Sequence, residues 1–124
     1  MLFRSEVGNL DPWRDFLDVR DVCAAYVACI DRRATLPPGT IINIGSGHAR
    51  RIGDVLGDLM ALAGVAAEVR AASSRTRSND VMRTVADAGR ARTLLDWQPV
   101  VPWSQTLRDV FDDWRARVAA EAAR

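Results

Sequence analysis

The sequence predicts an α/β fold with few strands and four helices. Apolar residues recur at helical spacing in four stretches. Short runs suited to strands alternate with the first three of them. Glycine or proline separates most of these segments.

In chain order, Phe16 and Leu17 lie in a short strand-like stretch after Trp13. Val19, Val22, Cys23, Tyr26, Val27 and Ile30 then recur at i, i+3, i+4, i+7, i+8 and i+11, which makes an amphipathic helix. Asp18 is placed to cap that helix, and Asp21 adds negative charge to its first turn. Thr35, Pro37, Pro38 and Gly39 form a turn. Thr40-Ile41-Ile42-Asn43-Ile44 reads as a buried strand because it is rich in β-branched residues, and Gly45-Ser46-Gly47 breaks it. A second helix carries Ile52, Val55, Leu56, Leu59 and Ala63 on one face and ends at Gly64. Glu68-Val69-Arg70 is a short strand, and Ser73 to Asp80 is polar and irregular. A third helix runs from Asp87 to Asp96, stopped before Pro99. The last begins near Ser104, with Leu107, Val110, Phe111, Trp114 and Val118 as its apolar stripe. So small a sheet needs another layer over its second face, which points to a piece of something larger.

Composition narrows the function. The 124 residues are 48% hydrophobic and 27% charged, so the chain is expected to form a single domain over residues 1–124 with one core. There is no apolar run of about 18 residues to span a membrane. The charged N-terminus is unlike a signal peptide, so a cytoplasmic protein is expected. Seventeen basic and 16 acidic residues leave a net charge of +1, which gives no electrostatic case for nucleic acid or an anionic membrane. Every basic residue is arginine. Without lysine there is no Schiff base, no P-loop lysine and no Tyr-x-x-x-Lys pair, and Tyr26, the single tyrosine, has Ile30 four positions on. Cys23 and Cys29 on one helix would lie about 9 Å apart along its axis, too far for a disulfide. With His48 they do not have zinc-site spacing, so no metal is expected.

Four places invite a ligand reading. Gly45-Ser46-Gly47 lies between a strand and a helix, but a dinucleotide fingerprint needs a glycine where Arg50 stands, and a tight turn explains the glycines as well. Arg14 follows the loop Gly8-Asn9-Leu10-Asp11-Pro12-Trp13; it can fork onto a phosphate, or pair with Asp15 or Asp18 at the surface. Asn9 can hydrogen-bond a sugar or a base edge. The stretch from Ser73 to Asp80 sets Arg75 and Arg77 among hydroxyl and amide side chains, which suits a diphosphate or a solvated loop.

Val7-Gly8-Asn9-Leu10-Asp11, Arg14-Asp15-Phe16, Asp18-Val19-Arg20-Asp21-Val22, Ile42-Asn43-Ile44-Gly45-Ser46-Gly47 and Asp96-Trp97-Gln98-Pro99 resemble, in order and spacing, a known family. It is the extended short-chain dehydrogenase/reductases, or NAD-dependent epimerase/dehydratases, that act on nucleotide sugars. The resemblance covers nearly the whole chain and lies in the family's C-terminal, substrate-binding part. The Gly8-Asn9-Leu10-Asp11 start is most like the GDP-sugar members, the GDP-mannose 4,6-dehydratases and the GDP-6-deoxy-4-keto-mannose reductases.

The resemblance implies a Rossmann-like fold whose N-terminal half holds NAD(P) and the catalytic Ser/Thr, Tyr and Lys. It implies substrate-binding roles here: Arg14 matches the family's phosphate-facing arginine. Arg77 and Asp80 match its Arg-Pro-x-Asp/Glu pattern, with Ser78 in place of the proline, and Asn9 is a further ligand. No catalytic, cofactor-binding or metal-ligating residue is assigned, since the glycine fingerprint and the Tyr-x-x-x-Lys pair are absent from this sequence. The expectation is a GDP-sugar-binding part that does not transfer hydride alone, as a fragment, a truncated product or a separately encoded half. A non-catalytic binding or assembly module is the alternative. Apolar faces shaped for an absent neighbour would also make the chain a homo-oligomer.

Overall fold

The computed structural model describes residues 3–72 and 81–123. Its elements are β1 (Phe3–Val7), β2 (Trp13–Asp15), α1 (Val19–Asp31), β3 (Ala49–Arg51), α2 (Ile52–Ala63), β4 (Ala67–Ala71), α3 (Gly89–Leu95) and α4 (Trp103–Ala122). All four expected helices form. They fall into two compact units. The first comprises Met1–Pro12, Arg51–Met82 and Pro102–Arg124; the second comprises Trp13–Arg50 and Arg83–Val101.

The second unit has a buried core. Asp18 caps α1, its carboxylate accepting from the Arg20 amide at 2.9 Å. Ala25 of α1 packs with Ala88, Ala91, Leu95 and Trp97, and alanine at three of these five positions lets the backbones approach closely. Asp21 lies inside this core at 2% exposure. Its carboxylate accepts from the Val100 and Val101 amides at 3.0 and 3.1 Å, and its carbonyl accepts from Trp97 Nε1 at 2.9 Å. A residue expected to serve the helix dipole thus also ties α1 to the chain after α3. The inward face of α1 is accordingly Asp21, Val22, Ala25, Ala28 and Cys29, while Val19, Tyr26, Val27 and Ile30 of the expected apolar stripe are exposed.

The strands differ more from expectation. The strand near Phe16 and Leu17 forms earlier, as β2, and pairs with β3. Trp13 of β2 also bridges Arg83 in parallel, with Thr84 N donating to its carbonyl at 3.0 Å. Thr40–Ile44 forms no strand. Ile42 and Ile44 are half-buried while Ile41 and Asn43 are exposed, the alternation of a strand, yet no second strand pairs with it among the described residues. Its residue types favour a sheet, but a ladder needs a partner.

In the first unit, β1 pairs in parallel with β4, from Phe3↔Ala67 to Val7↔Ala71. β4 is the expected Glu68-Val69-Arg70 strand lengthened by a residue at each end. β1 carries no apolar alternation strong enough to announce it. The first amides of α2 are taken up locally: Ile52 N donates to Pro12 O at 3.0 Å and Gly53 N to Leu10 O at 2.9 Å. Gly64 closes α2 in the left-handed region at φ 63°, where glycine has no Cβ penalty. On α4, Leu107 is buried and Phe111 half-buried, but Val110, Trp114 and Val118 are exposed. Arg115 and Arg117 lie over the Phe111 and Trp114 rings at 5.6 and 5.7 Å, and Arg117 pairs with Asp113 at 2.7 Å. Among the described residues no helix is long and apolar enough to cross a membrane.

Candidate functional site

The second unit contains a cavity of about 710 Å³. Val22, Ala25, Tyr26 and Cys29 of α1 form its apolar side; Arg14, Asp15, Asn43, Thr84 and Asp87 supply the polar groups. A volume of this size is in the range of small-molecule sites. Arg14 enters it from β2, where its Nη1 donates to the Trp13 carbonyl at 2.9 Å.

Beside it, Asp15 gathers donors from two other stretches of chain. Its Oδ1 accepts from Ser46 N at 2.9 Å and Ser46 Oγ at 2.5 Å. Its Oδ2 accepts from Gly47 N at 3.0 Å and Ala86 N at 3.1 Å. Burial pushes the Asp15 carboxyl up, but the bonds from the Ser46 hydroxyl and the Ala86, Ser46 and Gly47 amides outweigh it and hold the group below its ordinary value. Gly45 is needed at this junction because a Cβ there would collide with the Ala86 side chain and lie 2.8 Å from Asp15 Oδ2.

These bonds resolve the Gly45-Ser46-Gly47 motif. A cradle for a cofactor pyrophosphate needs backbone amides aimed at the ligand. Here the Ser46 and Gly47 amides are spent on Asp15, and Gly53 N is spent on Leu10, so these residues do not fit such a cofactor. The motif is a turn, with Gly47 at φ 76°. His48 is exposed and folds back on that turn, with Nδ1 3.0 Å from Ser46 O.

The other expected ligands stand differently. Asn9 belongs to the first unit, where its Oδ1 accepts from the Asp11 amide at 3.0 Å in a local turn. Asp11 in turn pairs with Arg51, and that hydrogen bond raises the Arg51 guanidinium further above its ordinary value. Arg77 and Asp80 lie outside the described residues. Sequence reasoning passed over Asp15 except as a partner for Arg14; four donors from segments some 31 and 71 positions away leave no local signal. Among the described residues no cluster of His, Cys, Asp or Glu could hold a metal ion.

Comparison with known proteins adds the lineage. A family described as GDP-mannose 4,6 dehydratase matches residues 4–110. The chain belongs to that family. It is 32% identical over 118 residues to the GDP-6-deoxy-D-mannose reductase of Pseudomonas aeruginosa, which covers 95% of this chain and 38% of the relative. The structure of RMD from Pseudomonas aeruginosa complexed with NADPH superposes with a TM-score of 0.82 at 31% identity, over 92% of this chain and 36% of that one. A UDP-glucuronic acid 4-epimerase variant from Bacillus cereus, in complex with UDP-4-deoxy-4-fluoro-glucuronic acid and NAD, gives 0.76 at 27% identity over 86% and 33%. The fold of this family member is therefore the C-terminal part of the Rossmann-like extended short-chain dehydrogenases. The chain spans about 38% of the length of the curated relative it matches.

Proposed function

We propose that residues 1–124 act as one nucleotide-sugar-binding portion of an NAD(P)-dependent GDP-sugar dehydratase or reductase, not catalytic by itself. The observation that supports this most is the match across 95% of the chain to a reductase of a GDP-sugar. Arg14 is the phosphate contact: it is a permanent cation at a cavity in the range of small-molecule sites. Arg77 is a second diphosphate contact, Asp80 supports the nucleoside, and Asn9 offers its amide to it. In the complete enzyme a nicotinamide, bound by another part, would exchange hydride with the sugar. This chain contributes none of the cofactor's cradle and only binds and orients the substrate.

Calorimetric titration with GDP and then NADPH tests the reading. Binding of GDP without NADPH supports it; binding of NADPH, or of neither, overturns it. Arg14→Ala and Arg77→Ala are each expected to weaken GDP about tenfold, the loss of one charge-assisted contact. Unchanged affinity removes the residue from the site.

The exposed Val19, Tyr26, Val27 and Ile30 favour a second role in assembly. Four large apolar side chains on one helix are a surface that self-association would cover, so a homo-oligomer is expected. Sedimentation that shows only monomer at tens of micromolar, on the order of assay concentrations, would contradict it.

A further inference from the structure

We propose that Asp15 is a positioning residue for Arg14, the carboxylate that fixes where β2 presents its guanidinium to a diphosphate. The proposal rests on the reading of Arg14 given above. Three features point to it. Arg14 is bracketed on β2: on one side Trp13 is held by the bridge to Arg83 and by Thr84 N, on the other Asp15 is held by Ser46, Gly47 and Ala86. Both Asp15 oxygens are used twice, so the side chain has one orientation in which all four donors are met. Gly45 leaves out the Cβ that would hold the chain off this junction.

A carboxylate is needed because it accepts at both oxygens and donates at neither. Asp15→Asn sets an N–H donor against the donors at one of the two oxygens, which loosens either the Ser46 contacts or those of Gly47 and Ala86. The bracket then fails on one side, and Arg14 is no longer held beside the Thr84–Asp87 stretch that lines the same cavity. Preorganised cations bind more tightly because less ordering remains to be done on binding.

The test is a double-mutant cycle on the 124-residue chain with GDP as the probe, read by calorimetry, with circular dichroism to verify folding. Asp15→Asn is expected to weaken GDP about tenfold in the wild-type background and less than about twofold in the Arg14→Ala background. Ser46→Ala, which removes one of the four bonds to Asp15 along with the hydroxyl's local contacts to the His48 backbone, is expected to give a smaller loss in the same pattern and serves if Asp15→Asn unfolds the chain. Equal losses in both backgrounds, or none in either, overturn the proposal. A ligand-free readout separates it from the nucleotide-sugar reading: the Arg14 Nε–H resonance should shift and exchange faster in Asp15→Asn and Ser46→Ala. If the wild type does not bind GDP, the nucleotide-sugar reading fails, and with it the diphosphate role assigned to Asp15. An unmoved Arg14 signal overturns the positioning whether or not GDP binds.

Discussion

The two units solve the problem of stability differently. The second buries an indole, a leucine and three alanines around a carboxylate whose two oxygens each meet a backbone amide. The first buries only Pro12 and Leu107 among its described apolar side chains, and α2 buries none of its own. Leu62, Val65, Val110, Trp114 and Val118 of that unit remain in contact with water. Burial is the main favourable term in folding. A unit with little of it depends on hydrogen-bonded ladders, caps and surface ion pairs, each worth about 1 kcal/mol or less. The difference also explains where the candidate site lies. Arg14 and Asp15 stand in the unit whose packing can hold side chains in place.

Trp97→Ala should do the most damage to the second unit. It removes the largest apolar group of the core and the bond to the Asp21 carbonyl, and should cost about 3–5 kcal/mol in denaturant unfolding. A cost below about 1 kcal/mol would mean that the core of the second unit is not what sustains it. Asp21→Ala strands the Val100 and Val101 amides and should cost about 2–3 kcal/mol. Leu107→Ala in the first unit should cost about 2 kcal/mol, the low end for a buried leucine, because the site is close to solvent and can collapse. If it matched Trp97→Ala, the two units would be equally well packed. Trp114→Ser, at 61% exposure, should change stability by no more than about 0.5 kcal/mol.

Acid acts on the site itself. The Asp15 carboxyl is held below its ordinary value in the fold, so its contribution is complete well above pH 4, about the ordinary aspartate value. It declines as the pH falls below that value and is gone once the folded-state value is passed. As the pH falls below about 4, the thermal midpoint of the wild type should therefore drop by more than that of Asp15→Asn. Parallel curves would show that Asp15 is not held as a carboxylate by its four donors.

Much of the fold was legible in residue order. Helical spacing located all four helices, Asp18 marked a cap, Gly64 marked a stop, and the ordered motifs from Gly8 to Pro99 carried the family resemblance. The strands were less legible. Thr40–Ile44 has strand-forming residues but finds no ladder among the described residues, while β1 has a modest pattern and forms because β4 pairs with it. Of the site, Arg14 could be picked out as a cation at the end of a loop. Asp15 could not, because its role depends on Ser46, Gly47 and Ala86.

Residue order set the helices, their ends and the lineage, because period, capping and motif order are local properties of the chain. Packing in three dimensions set which face of α1 turns inward, that the Ser46 and Gly47 amides serve Asp15, and that Asp21 joins two distant segments. The physical reason is common to all three. A buried polar group must find its partners wherever the fold brings them, and that pairing is not written in the spacing of neighbouring residues.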